Sequence, residues 1–226
     1  IFLLLLPVAA FAICQALLSG PGIWLGFAPL LVAFCAGLAV HWIHLRMSMA
    51  ASLSRAMGFD PRLIDAFHKE SSRQGGRVRK EVAILIADIR DYTRYVSRTD
   101  PGTVSLVMSE YMGAMERRIT SQGGYINKYI GDEIVAVFGF PLDAAQATHR
   151  AVRAAVDMLG ELGRLTAAWR ERRLSSIERI GIGIDTGTVT FAEVGGKTRN
   201  QLDIIGDCIN GASRIEHLTK GFGRNL

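Results

Sequence analysis

Two aspartates constrain this chain most, because each sits at the end of a stretch that reads as β-strand and in a setting suited to a divalent metal. Asp88 follows Val82-Ala83-Ile84-Leu85-Ile86-Ala87, and Asp132 lies in the turn of Tyr125-Ile126-Asn127-Lys128-Tyr129-Ile130-Gly131-Asp132-Glu133-Ile134-Val135-Ala136-Val137-Phe138. If the two strands are neighbours in one sheet, both carboxylates project at the same edge and can share a pair of hard cations. That is the metal half of a phosphoryl or nucleotidyl transfer site. Singly, each has a plainer explanation, since an aspartate at a strand end is commonly a turn former and Gly131-Asp132 can be a simple hairpin turn.

The other end of the chain has a different character. No Asp, Glu, Lys or Arg occurs before Arg46. Two apolar stretches, Ile1 to Leu18 and Ile23 to Ile43, flank Ser19-Gly20-Pro21-Gly22, and each approaches the roughly 20 residues that cross a bilayer as helix. They read as a transmembrane α-helical hairpin within residues 1–45. A cleaved signal peptide lacks support because there is no basic leading region, and a buried helix pair is disfavoured by the length of the uncharged segments.

The net charge of +5 is concentrated in residues 46–80, where eight basic residues face three acidic ones. The remainder, 81–226, is balanced. A basic flank beside a membrane span places the rest of the chain in the cytoplasm, as a multi-pass protein of the plasma membrane facing a lipid bilayer. It also removes the case for nucleic acid as a partner, since no aromatic-basic platform accompanies the excess. Cys14 and Cys35 fall in the spans and Cys208 is alone in the soluble part, so no disulfide framework is implied.

Along the soluble part, Asp60-Pro61 starts a connector helix running towards Ser71-Ser72. Asp100-Pro101 starts a second helix, with Val104, Val107, Met108, Tyr111, Met112, Met115 and Ile119 recurring at three and four, ending at Gly123-Gly124. The hairpin carrying Asp132 follows, then a helix from about Asp143 to Arg173. Ile180 to Ile184 and Thr188 to Val194 read as two strands joined at Asp185-Thr186-Gly187. Gln201 to Ile205 is a short strand, and Asp207 caps a helix to about Thr219. The order strand, helix, strand, strand, helix, strand is that of an α+β, ferredoxin-like βαββαβ sandwich.

A second cluster answers the two aspartates. Asp203-Ile204-Ile205-Gly206-Asp207-Cys208-Ile209-Asn210-Gly211-Ala212-Ser213-Arg214 places Asn210 and Arg214 four residues apart, on one face of a helix. Arginine offers a planar, permanently charged fork suited to a phosphoryl transition state, and asparagine can hold a ribose oxygen. The plainer fate for Arg214 is an ion pair with Glu216 or Glu193.

At these residues the chain resembles the class III nucleotidyl cyclases, and within them the bacterial adenylyl cyclases. Ala87-Asp88-Ile89-Arg90 resembles the first metal motif and Lys128-Tyr129-Ile130-Gly131-Asp132 the adenine lysine and second metal segment. Gly181-Ile182-Gly183-Ile184-Asp185-Thr186-Gly187 resembles the central strand and turn. Asp203-Ile204-Ile205-Gly206-Asp207 resembles the purine-reading strand, and Asn210 through Arg214 and Glu216 the transition-state helix. The resemblance covers Val82 to about Lys220.

It implies a catalytic domain at 81–226, C-terminally incomplete, acting on ATP as a homodimer with sites shared across the interface. Asp88, Asp132 and the Ile89 carbonyl would hold two divalent cations, Mg²⁺ or Mn²⁺. The partner would bring Lys128, Asp203 and Ile204 to adenine, Asn210 to ribose and Arg214 to the α-phosphate. Lysine only donates and an ionised aspartate only accepts, which suits adenine's N1 acceptor and N6 donor.

One departure is Asp91-Tyr92, where the family usually has Gly-Phe; a carboxylate there repels a triphosphate unless it turns outward or meets Arg90 or Arg94. Two other readings compete. Gly131-Asp132-Glu133-Ile134 mimics the signature turn of diguanylate cyclases, which leaves Asn210 and Arg214 without a task, and a membrane-tethered pseudo-cyclase would bind nucleotide without turnover.

Overall fold

The structure is a computed structural model and describes residues 34–35, 37–45, 61–72, 77–142, 144–195, 200–223 and 225–226. The chain divides into two compact units, Ile1–Leu53 and Ser54–Leu226. In the first, residues 34–35 and 37–45 are helical, and the side chains of Phe34, Leu38, Val40, Trp42 and Ile43 are exposed. The expected span Ile1 to Leu18 and most of the second, Ile23 to Ile43, lie outside the described residues. Among the described residues no helix is long and apolar enough to cross a membrane.

The second unit runs α1 (Pro61–Ser71), β1 (Arg77–Ile89), α2 (Tyr92–Arg98), α3 (Pro101–Ser121), β2 (Tyr125–Ile130), β3 (Glu133–Phe138), a short 3₁₀ turn (Ala144–Gln146), α4 (Ala147–Glu171), β4 (Ile180–Gly195), β5 (Asn200–Ile205) and α5 (Asp207–Gly221). The sheet order is β2-β3-β1-β4-β5, with each neighbouring pair antiparallel. Its first four strands with α3 and α4 make a βαββαβ sandwich, to which β5 and α5 are added.

Burial explains why β1 reads as an unbroken apolar run. Ala83, Leu85, Ala87 and Ile89 face one core with α3 and α4, while Val82, Ile84 and Ile86 face a second core with α1, β5 and α5. A central strand covered on both faces has no polar side to alternate with. The methionines of the periodic segment serve packing: Met115 is fully buried and Met108 and Met112 lie against the same core. Asp100 caps α3 by accepting from the Thr103 amide at 3.0 Å, with Pro101 in the first turn.

Two elements differ from the sequence reading. Residues 180–195 form a single strand, because Asp185, Thr186 and Gly187 stay paired with Ile84, Ala83 and Val82 of β1; the ladder holds extended a segment whose composition reads as a turn. The helix α2 has no counterpart in that reading, being too short and polar to show an apolar period; none of its residues is buried.

Candidate active site

Strand pairing brings the two aspartates together. β1 and β3 are antiparallel neighbours with Ala87 opposite Ile134, so Asp88 and the β2–β3 turn share one end of the sheet. Gly131 takes a φ of 66° in that turn, a conformation open to glycine at no steric cost. The Asp132 carboxyl is pushed up to about 6, first by burial and then by its hydrogen bond to, and repulsion from, Asp88, against the opposing pull of the backbone amides of Asp132 and Ile89. The repulsion between two neighbouring carboxylates is what a bound cation would relieve. Together with the nearby Ile89 carbonyl, this donor set fits hard divalent ions, although among the described residues no group of three or more His, Cys, Asp or Glu side chains is arranged around one point.

Lys128 and Asp203 form a second pair. Lys128 Nζ lies 2.8 Å from Asp203 Oδ1 and 2.9 Å from Oδ2. Asn127 Nδ2 donates to Asp203 Oδ1 at 3.4 Å. A bulge between Ile126 and Lys128 lets Asn127 and Lys128, which in a regular strand point to opposite faces, both reach the same carboxylate. Burial works to raise the Asp203 carboxyl, but the hydrogen bonds from Lys128, the Ile204 amide and Asn127 outweigh it and hold the group below its ordinary range. Asp203 is therefore ionised and acceptor-only.

The third pair sits on α5, where Asn210 and Arg214 are both exposed one turn apart. Glu216 is not Arg214's partner, because it is engaged by Arg90 with Nη1 2.6 Å from Oε1. Asp91 does turn outward. It adopts φ 58° at the start of α2 and meets neither Arg90 nor Arg94, lying 3.7 Å from Arg179 with both side chains mostly exposed. Between α2 and the loop before β4 is a cavity of about 550 Å³ lined by Arg90, Asp91, Arg94, Arg98, Ser176 and Arg179 among others. It opens where β1 ends, and its lining mixes four arginines with Asp91, Glu178 and apolar side chains.

Among the described residues no hydrogen bond or ion pair joins the three groups to one another within the chain. The sequence reading missed Arg90 as a buried partner of Glu216, and its only signal is the pair Gly181 and Gly183. A Cβ on Gly181 would stand 1.7 Å from Arg90 Nη2, and one on Gly183 would stand 2.1 Å from the Ala212 carbonyl. These glycines let α5 lie directly on β4. It missed Tyr111 as well, whose ring is fully buried and whose hydroxyl has no hydrogen-bond partner among the described residues; burial first, then the charges of Asp88 and Asp132, push it up.

A curled antiparallel sheet with a carboxylate pair at one end and a lysine-aspartate pair joining its edges defines a nucleotidyl cyclase domain. Residues 77–222 match the model of the adenylate and guanylate cyclase catalytic domain, and the chain belongs to that family, the class III nucleotidyl cyclases. It is 36% identical over 160 residues to an adenylate cyclase of Anabaena cylindrica, covering 70% of this chain and 31% of that protein. Adenylate cyclase 1 of Rhizobium meliloti is 31% identical over 159 residues, covering 70% and 24%. The chain thus spans about a third or less of the length of these relatives.

Among solved structures, the adenylyl cyclase CyaB from P. aeruginosa superposes with a TM-score of 0.60 at 28% identity, covering 63% of this chain and 74% of that one. The guanylyl cyclase Cya2 does so with a TM-score of 0.59 at 31% identity, covering 63% and 72%.

Proposed function

We propose that the protein is an adenylate cyclase, converting ATP to 3′,5′-cyclic AMP and pyrophosphate at sites shared by two copies of the chain. The observation that carries the base choice is the Lys128–Asp203 pair. An ammonium donates to adenine N1 and an ionised carboxylate accepts from N6, whereas guanine presents a carbonyl and an N1–H in those places. The Ile204 backbone lies beside that pair at the purine edge.

The homodimer reading is supported by the lack, among the described residues, of any hydrogen bond or ion pair joining the three groups within one chain. Asp88, Asp132 and the Ile89 carbonyl of one copy face the ribose 3′-hydroxyl and the phosphates. The partner copy supplies Lys128 and Asp203 to the base, Asn210 to the ribose and Arg214 to the α-phosphate. Class III cyclases in general use divalent metal ions; two Mg²⁺ or Mn²⁺ held by the aspartates would supply the positive charge that acidifies the hydroxyl and steadies the leaving pyrophosphate. Arg214, which pairs with no carboxylate among the described residues, delivers its fork to the charge that develops at the α-phosphate in the transition state. The cavity at the end of β1 offers Arg94, Arg98 and Arg179 to the outer phosphates, with the Asp91 carboxylate in its lining offset by Arg179.

Membrane attachment through residues 1–43, with the catalytic domain in the cytoplasm, is part of this reading. The outward apolar side chains of helical residues 37–43 support it.

The test is product formation from ATP and from GTP by the full-length protein with Mn²⁺ and with Mg²⁺. Cyclic AMP in excess of cyclic GMP supports the assignment. Excess cyclic GMP would reverse the base choice, and nucleotide binding without a cyclic product would leave a pseudo-cyclase.

A further inference from the structure

Arg90 and Glu216 lie 126 residues apart and meet in the interior. Arg90 Nη1 is 2.6 Å from Glu216 Oε1, with the side chains only 10% and 1% exposed. Arg90 Nη2 also donates to the Glu216 carbonyl at 3.1 Å and to Thr219 Oγ1, while Thr219 Oγ1 donates to that same carbonyl at 2.6 Å. One guanidinium thus hydrogen-bonds two oxygens of the last turns of α5 and stands against a third, Glu216 Oε1, as an ion pair without hydrogen-bond geometry. The space for it is cut into β4, since a Cβ on Gly181 would come within 2.4 Å of Glu216 Oε1. The exposed His217 has its Nδ1 3.2 Å from Glu216 Oε2, and the Glu133 carboxylate also feels the charge of Glu216.

A buried ion pair is a poor way to gain stability, because the desolvation of both charges cancels most of their attraction. Its better-attested use is to fix one register between elements. The elements fixed here are specific. Arg90 directly follows Ile89 and stands two residues from Asp88, and its amide donates to the Arg179 carbonyl at 3.0 Å, prolonging the β1–β4 ladder. Glu216 stands two residues from Arg214 on α5.

We propose that Arg90 and Glu216 are a positioning pair that couples the two composite sites of the homodimer. Within one chain the pair joins the strand end bearing Asp88 and Ile89, which belongs to one site, to the helix bearing Asn210 and Arg214, which belongs to the other. This rests on the shared-site reading above. Breaking the pair loosens the metal half of one site and the arginine half of the other.

The test uses full-length dimers assembled from two differently tagged copies. One copy carries Arg214→Ala and the other Asp88→Ala, which leaves a single intact site with its aspartates from the first copy and its Asn210 and Arg214 from the second. If this mixed dimer makes no cyclic product, the shared-site reading fails, and the coupling with it. With an active mixed dimer, Glu216→Gln is placed in one copy at a time. In the copy supplying the aspartates it raises the half-saturating Mn²⁺ concentration by roughly 10-fold with kcat little changed, as loss of support behind a metal ligand does. In the copy supplying Arg214 it lowers kcat by about 10-fold and leaves the Mn²⁺ dependence unchanged. The same defect whichever copy carries the change, a defect from one placement only, or none, overturns the coupling. Arg90→Lys keeps the cation but not the fork; it shows the same split at smaller amplitude and carries the test if the Glu216→Gln chain fails to fold.

Discussion

Lys128 Nζ lies 2.8 Å from Asp203 Oδ1, although their strands, β2 and β5, form opposite edges of the five-stranded sheet. Laid flat, strands four steps apart stand roughly 19 Å from one another, beyond the joint reach of the two side chains. The sheet therefore curls until its edges meet, and Tyr125 of β2 packs in one core with Leu202 and Ile204 of β5. The pair proposed to read the base is thus a product of sheet curvature, assembled only in the folded domain.

Replacing Lys128 by Met removes the donor proposed to meet adenine N1. We expect kcat/KM for ATP to fall about 10- to 100-fold, the worth of a hydrogen bond to a charged group at about 1.5–3 kcal/mol. Thermal stability should hardly change, because the pair is partly open to solvent, at 34% and 22% exposure, where such pairs are worth about 0–1 kcal/mol. Steady-state kinetics beside a melting curve separates the two. A large drop in melting temperature with unaltered kcat/KM would make Lys128 a structural residue instead.

The raised Asp132 carboxyl gives a pH signature. Its pKa moves on folding from an ordinary carboxylate value of about 4 up to about 6. The folded state therefore holds the proton more tightly, so this contribution favours folding at low pH and is lost as the pH climbs from about 4 through 6. In metal-free protein the melting temperature should decline across that interval, and Asp132→Asn should flatten the decline. Mn²⁺ should stabilise more at pH 7 than at pH 5, since binding must displace the proton that Asp132 holds at the lower pH. An unchanged profile in Asp132→Asn would show that the titration belongs elsewhere.

Two glycine substitutions should move stability in opposite directions. Gly181→Ala puts a methyl where Arg90 Nη2 stands 1.7 Å away and displaces a buried charge from its partner, so we expect a loss of about 3 kcal/mol. Gly160, exposed on α4, has nothing within 4 Å of where a Cβ would stand, and Gly160→Ala should gain about 0.5–1 kcal/mol from helix propensity. Denaturant melts of both variants decide it; equal effects would mean that α5 is not seated on β4 as described.

The sequence made much of this visible and hid the rest for identifiable reasons. Asp88 at the end of an apolar run and Asp132 in a Gly-Asp turn are local signals, and so is the i, i+4 spacing of Asn210 and Arg214. The continuity of β4 is not local: Asp185-Thr186-Gly187 stays extended because β1 pairs with it from a hundred residues away. The Arg90–Glu216 pair has no sequence signature beyond the small residues Gly181 and Gly183 that make room for it. Asp91 reads as a hazard to phosphate, and only the fold shows its side chain turned towards Arg179.

The most direct test of the central claim is cyclic AMP formation from ATP by the full-length protein, by Asp88→Ala, by Arg214→Ala, and by the two variants mixed. The expected result is a product from the parent, a loss of at least about 100-fold in each variant, and partial recovery on mixing, because a mixed dimer rebuilds one whole site from two damaged chains. Activity that survives either substitution, or variants that stay dead together while still forming dimers, would contradict it.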